Sequence, residues 1–213
     1  MDGQLIDGAE AETLDGSAKR RQIMEGARTV FLAAGFDGAS MNDVARVAGV
    51  SKGTLYVYFD SKEKLFEALI RDERRQQAER LTDCSFETSD VRGALFRFGC
   101  RLIEMMSRPD TLAHVRMVIA ATAKFPQLGR AFYEAGPCHG VRRLAARLSK
   151  LVEAGELEIA DTEVAAQQFA ELCKAGLFNR ALFCADVTIQ PEEIGPSVDA
   201  AVEIFMRVYG RRN

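Results

Sequence analysis

Apolar residues recur along this chain at the three- and four-residue spacing of helix faces, and no alternating strand pattern of useful length interrupts them. Ile23, Ala27, Val30, Phe31 and Ala34 mark one face of a helix fitting Ser17 to Ala34, with Ser17 as its cap and Gly35 as its stop. A second, short helix starts at Ser40, whose hydroxyl caps while Asp43 reaches back in a capping box, and it buries Met41, Val44, Ala45 and Ala48. Gly49 then supplies a backbone conformation that is costly for other residues, Val50 plugs the corner, and Ser51 caps a third helix running through Phe59. In that helix Leu55 and Phe59 lie four apart and face inward. Lys52, Gly53, Thr54, Val57 and Tyr58 are left on or near the outer face, with Tyr56 flanking. Asp60 or Ser61 caps a fourth helix, apolar at Leu65, Phe66, Leu69 and Ile70 and strongly polar from Arg71 to Arg80, as suits a connection between domains.

Further helices are predicted at about 89–107, 109–123, 126–135, 138–154, 161–185 and 191–210. Pro109, Pro126 and Pro191 suit helix starts and Gly155 a stop, whereas Pro196 either kinks the last helix or delays its start. The expected fold is all-α: an acidic tail at 1–16 without fixed structure, a three-helix domain with a helix-turn-helix at 17–62, and a larger helical bundle at 63–213. In the last helix Ile194, Val198, Ala201, Val202, Phe205 and Val208 form a stripe, and the preceding one offers Ala165, Phe169, Leu172, Gly176 and Phe183. Two such helices from each of two copies form a four-helix interface, or the same stripes complete the core of one copy. Phe96, Cys100, Ile103, Met106, Met117, Phe125, Phe132 and Phe169 line an apolar cavity or fill a core; soft Met and Cys side chains suit a permissive pocket.

Charge sharpens this reading. The 213 residues carry a net charge of −3, which excludes a uniformly basic nucleic-acid coat. Residues 1–16 hold five acids and no base, while residues 17–64 hold eight Lys and Arg against five acids, so the basic surplus is confined to the helix-turn-helix segment. Its outer face fits a major groove: Lys52 offers a charge to phosphate or guanine, Thr54, Tyr56 and Tyr58 offer hydroxyls, and Gly53 permits close backbone approach. Ser40, Asn42 and Ser51 flank that face, and Lys62 sits in the first turn of the next helix, where backbone N–H groups attract phosphate. A small bundle that binds nothing needs the same apolar residues but not the polar set. The five Cys lack a CxxC pair and have only two His beside them, which points to reduced, buried thiols rather than disulfides or zinc. With no signal-like start and no long apolar run, the expected location is the cytoplasm, without membrane attachment.

The run SMNDVARVAGVSKGTLYVYFDSKEKL, Ser40 to Leu65, resembles the DNA-binding segment of TetR-type transcriptional regulators, with AGVS, GTLY, YF and SKE in register. Together with the first helix the resemblance covers residues 17–65; Val57 departs from it, standing where many members carry a polar residue or His. The stretch Val115 to Leu157, with Lys124 to Arg130, Phe132 to Glu134 and Gly136-Pro137, is similar to AefR-like and AcrR-like members. The resemblance implies a repressor that binds a near-palindromic duplex operator as a homodimer through its last two long helices. Release by a small apolar molecule of unidentified structure is expected because the DNA-reading segment ends near Leu65 and the rest of the chain is a helical body rich in Phe, Met and Leu with no catalytic set; no cofactor or metal is expected. An activator without small-molecule control is the alternative. An all-helical enzyme is the third class, for which His114, Cys138 and His139 are the candidates, yet no HExxH, GxSxG or phosphate loop accompanies them.

Overall fold

The computed structural model describes residues 7–82 and 90–211, with backbone alone for 7–15, 78–80 and 82. The helices are α1 (Asp7–Gly38), α2 (Met41–Ala48), α3 (Lys52–Tyr58), α4 (Lys62–Thr82), α5 (Val91–Met106), α6 (Pro109–Thr122), α7 (Pro126–Tyr133), α8 (His139–Glu153), α9 (Thr162–Lys174), α10 (Leu177–Phe183) and α11 (Pro191–Tyr209). A π-helical turn, Glu134–Cys138, joins α7 to α8. Among the described residues the only β feature noted is an isolated bridge between Leu157 and Gly210. The chain divides into two compact units, one holding residues up to 72 together with 119–131, the other 73–118 with 132 onward.

In the first unit α1 starts ten residues before the expected Ser17, so positions 7–16 of the expected unstructured tail are helical backbone, and residues 1–6 lie outside the described residues. The reason is local: Ala-Glu-Ala-Glu-Thr-Leu is rich in helix formers, and acids suit the positive end of a helix dipole. Gly35 breaks the helix as expected, with φ 69°. Gly26 allows α1 and α2 to touch, since a Cβ there would stand 2.6 Å from Ala48 Cβ. Gln22 Nε2 secures the same crossing by donating to Ala48 O at 2.6 Å. Beneath it Phe31, Phe36 and Phe66 cluster, with Phe66 4.8 Å from Phe31 and 5.0 Å from Phe36 between ring centroids, and Phe125 meets Phe36 edge-on at 4.9 Å. Phe125 is therefore part of this unit and not of a cavity in the larger domain.

The second unit packs α5, α8, α9, α10 and α11 around one core. α5 comes close to α11 and α9 at Gly99, where a Cβ would stand 2.6 Å from Val198 Cγ1 and 3.0 Å from Cys173 Sγ. The helix expected over 161–185 is two helices, broken at Gly176 with φ 76°. α11 runs from Pro191 with Pro196 inside it, and the backbone N–H of Gln190 donates to Glu193 Oε2 at 2.9 Å at its start. Most of the stripe expected at a dimer interface is core of the single chain: Ala165, Phe169, Val198, Ala201, Val202 and Phe205 are buried within this unit. Val208, assigned to the same stripe, instead points out and is 61% exposed. Of the remaining interface candidates Leu172 is half-buried, Gly176 is exposed at the break, and Phe183 is 81% exposed. The thiols of Cys100, Cys138, Cys173 and Cys184 are free; Cys173 is buried, its thiol pushed up to about 12 by desolvation, but Cys184 is exposed.

Candidate nucleic-acid interface

The helix-turn-helix is fixed by short-range hydrogen bonds. The Ser40 hydroxyl accepts from Asp43 N at 3.2 Å and donates to Asp43 Oδ2 at 2.6 Å. The expected capping box thus closes between side chains, the carboxylate bonding the hydroxyl and not the Ser40 N–H. That hydroxyl, and next the Arg46 guanidinium 3.0 Å away, hold the Asp43 carboxyl below its ordinary range. Gly49 takes the left-handed conformation (φ 65°, ψ 36°) that ends α2, and its N–H bonds back to Arg46 O at 3.3 Å. Ser51 caps α3, accepting from Thr54 N at 3.0 Å, with Thr54 Oγ1 2.8 Å from its hydroxyl. Ser61 caps α4 by accepting from Lys64 N.

α3 buries Leu55, and the following cap residue Phe59 is buried too, as their spacing predicts. Lys52, Gly53, Tyr56 and Val57 are exposed, Val57 by 81%, and Lys52 Nζ lies 6.0 Å from the centroid of the Tyr56 ring. Asn42 is exposed on α2; Ser40, Thr54 and Tyr58 are half-buried. Ser40, Ser51 and Thr54 hydroxyls serve the local caps, and the Tyr58 hydroxyl lies 3.8 Å from where a Gly16 Cβ would stand. At Gly53 a Cβ would meet only Ser51 Oγ, at an ordinary 3.8 Å, so nothing inside the unit requires glycine there.

Lys62 requires a correction. Its Nζ donates to Phe36 O at 2.7 Å, Ala39 O at 3.0 Å and Asp37 O at 3.4 Å, and stands 4.5 Å over the Phe36 ring. An ammonium has three N–H donors, and here all three serve carbonyls, Phe36 and Asp37 at the end of α1 and Ala39 just beyond it, a favourable place for a cation. Lys62 pins α4 to α1 instead of facing outward. Two other sources of positive charge stand outside the expected contact set: Arg46, largely exposed on α2, which the sequence leaves evenly between solvated surface and phosphate contact, and Arg21 in the Lys19-Arg20-Arg21 run of α1. The excess of bases over acids at 17–64 was the signal for both.

The residues expected around a cavity do not share one environment. Ile103 and Phe169 are fully buried, and Phe169 meets Phe205 edge-on at 5.2 Å. Phe96, Cys100 and Met106 pack half-buried against that core, and Met117 is half-buried on α6. Phe132 lies under the Arg74 guanidinium at 4.5 Å. Of the chemical candidates, His114 Nδ1 is 3.3 Å from Glu73 Oε2, while Cys138 and His139 are half-buried at the π-helical turn. Among the described residues no helix is long and apolar enough to cross a membrane.

Comparison with known proteins agrees with this geometry. Residues 23–69 match the bacterial regulatory proteins of the tetR family, and residues 93–211 match the C-terminal domain of AefR-like transcriptional repressors. The HTH-type transcriptional regulator YfiR of Bacillus subtilis is 28% identical over 166 residues, 78% of this chain and 80% of YfiR. A crystal structure of a TetR-family regulator from Mesorhizobium loti superposes with a TM-score of 0.85 at 31% identity, covering 92% of this chain and 98% of that one. The flavonoid-responsive regulator FrrA superposes with a TM-score of 0.79, also at 31% identity, covering 92% of this chain and all of FrrA (100%). An exposed Lys-Gly-Tyr-Val face on a capped helix-turn-helix, followed by an AefR-like domain over more than half of its length, places the chain in the TetR family of DNA-binding transcriptional regulators.

Proposed function

We propose that this regulator is a repressor that holds a near-palindromic operator as a homodimer and lets go when a small molecule binds its second unit. The exposed face of α3 carries the reading: Lys52, Gly53, Tyr56 and Val57 stand clear of the unit's own packing. Lys52 and Tyr56 meet base edges or phosphates, Val57 suits a thymine methyl, and Gly53 lets the backbone come close. Arg46 and Arg21 supply charge to the phosphates on either side. Homodimerisation is supported by family membership and by exposed apolar residues on the helices of the second unit, Val164, Phe183, Ile204 and Val208. FrrA, named as flavonoid-responsive, makes polycyclic aromatic compounds the first effectors to test.

The test is a mobility-shift titration against operator DNA selected from the organism's own genome. Lys52→Ala and Tyr56→Ala are expected to weaken binding by roughly 1–3 kcal/mol each where the side chain reads a base, without lowering the melting temperature. Lys62→Ala should act the other way, lowering the melting temperature by releasing the end of α1. If the Lys52 and Tyr56 variants bind like the parent, α3 is not the reading helix.

A further inference from the structure

The second unit holds a group of buried polar side chains that DNA reading does not use. Glu73 and Arg74 on α4 and Thr111 and His114 on α6 are all more than nine-tenths buried. Glu73 Oε2 is 3.3 Å from His114 Nδ1. The Arg74 guanidinium lies over the Phe132 ring, and its Nη1 donates to Gln77 Oε1 at 2.7 Å. Its remaining edge, Nε and Nη2, is shielded from solvent and has no hydrogen-bond acceptor among the described residues, and Thr111 Oγ1 likewise has no partner among them.

An unmet guanidinium edge is a costly thing to bury, and a Met or Leu would fill the same space without that cost. Burial draws the Arg74 pKa down, with Glu73 and Asp110 pulling it back up, yet an arginine does not give up its proton in a protein. Nε–H and Nη2–H point the same way and are spaced to meet the oxygens of a carboxylate side by side. Gln77 and Phe132 fix the plane of the guanidinium, so the open edge is held in one direction.

We infer that this edge of Arg74, together with the unpartnered Thr111 hydroxyl of α6, receives the acidic oxygen of the effector, which is therefore a small organic acid: a carboxylate or an acidic phenol. The inference rests on the effector-release reading above and names the chemical class that reading leaves open. All three donor atoms, Arg74 Nε and Nη2 and Thr111 Oγ1, are closed to solvent, so the acid enters only when the 73–77 stretch of α4 shifts relative to α6. It consequently binds one arrangement of α4 in preference to the other, and a preference of that kind is what a ligand needs to change a conformational equilibrium.

The experiment is calorimetric titration of the intact protein with two pairs of probes, benzoate against benzamide and 7-hydroxyflavone against flavone, so that carboxylate and phenol are tested separately. At least one acid should bind ten-fold or more tightly than its neutral counterpart. Arg74→Met should abolish that preference while keeping the parent's helical circular dichroism, with a lower melting temperature, because the Gln77 hydrogen bond, the Phe132 contact and the charge acting on Glu73 go with the guanidinium. Thr111→Val should reduce it several-fold and serves as the second variant if Arg74→Met does not fold. Acid and neutral probes binding alike, neither binding, or a preference that survives in Arg74→Met would each overturn the site. The operator titration separates this inference from the reading beneath it. An acid that binds at Arg74 but leaves operator affinity unchanged keeps the site and removes effector release. Release by flavone in parent and Arg74→Met alike keeps release and removes the site.

Discussion

Gly53 stands in the first turn of α3, and beyond its chain neighbours and its own helix backbone no described atom comes nearer than 3.8 Å to where its Cβ would be. Glycine is a poorer helix former than alanine by up to about 1 kcal/mol, so the fold alone has no use for it there. Gly53→Ala is therefore expected to leave the melting temperature equal or higher, by up to about 1 kcal/mol of stability, while weakening operator binding by about 1–3 kcal/mol. Thermal melting and a mobility-shift titration on one preparation check the two signs; lower stability with unchanged DNA affinity would refute the assignment. The caps at Ser40 and Ser51 and the turn at Gly49 were legible in the sequence because their partners lie within three or four residues. Lys62 was not, because the carbonyls it serves lie 23 to 26 residues away along the chain.

Elements were legible where breakers and caps agreed. Pro109, Pro126 and Pro191 each begin a helix as expected, since the ring removes only an N–H that has no partner in a first turn. The Gly176 break was hidden because its neighbours Leu172, Cys173, Leu177 and Ala181 keep the apolar spacing running through it. α11 misled for another reason: it has two apolar faces. Ile194, Val198, Ala201, Val202 and Phe205 turn inward, while Ala200, Ile204 and Val208 form an exposed row at four-residue spacing. The inward face is pressed closely on α5, where Gly99 leaves no room for a methyl group beside Val198 and Cys173. Gly99→Ala should lower the unfolding free energy by about 1–3 kcal/mol, read as a lower denaturation midpoint with an unchanged m-value, as overpacking does. Adding Val198→Ala should restore part of the loss, and strict additivity of the two effects would show that the clash is not the cause.

For the whole molecule the two faces of α11 differ in what they leave exposed, and the homodimer proposed above has only the outer one to use. A residue already buried within one chain has no surface to offer a second copy, which removes Phe205, Val202 and Val198 from any interface. Exposed apolar side chains remain on α9, α10 and α11, and two copies that share them bring two recognition helices to one operator. The second helix then binds as a tethered ligand, at an effective concentration far above that of free monomer, so dimerisation and operator affinity fall together. Ile204→Glu with Val208→Glu introduces charge where Ile204 is 48% and Val208 61% exposed. The single chain should fold unchanged, sediment as a monomer at micromolar concentration and lose operator affinity by more than ten-fold. Phe205→Glu, by contrast, buries an unpaired carboxylate in the core and should unfold the second unit or push that carboxyl to bind a proton. Circular dichroism and sedimentation on both variants decide between the faces: a dimeric double variant beside a folded, monomeric Phe205→Glu would return the interface to the inward stripe.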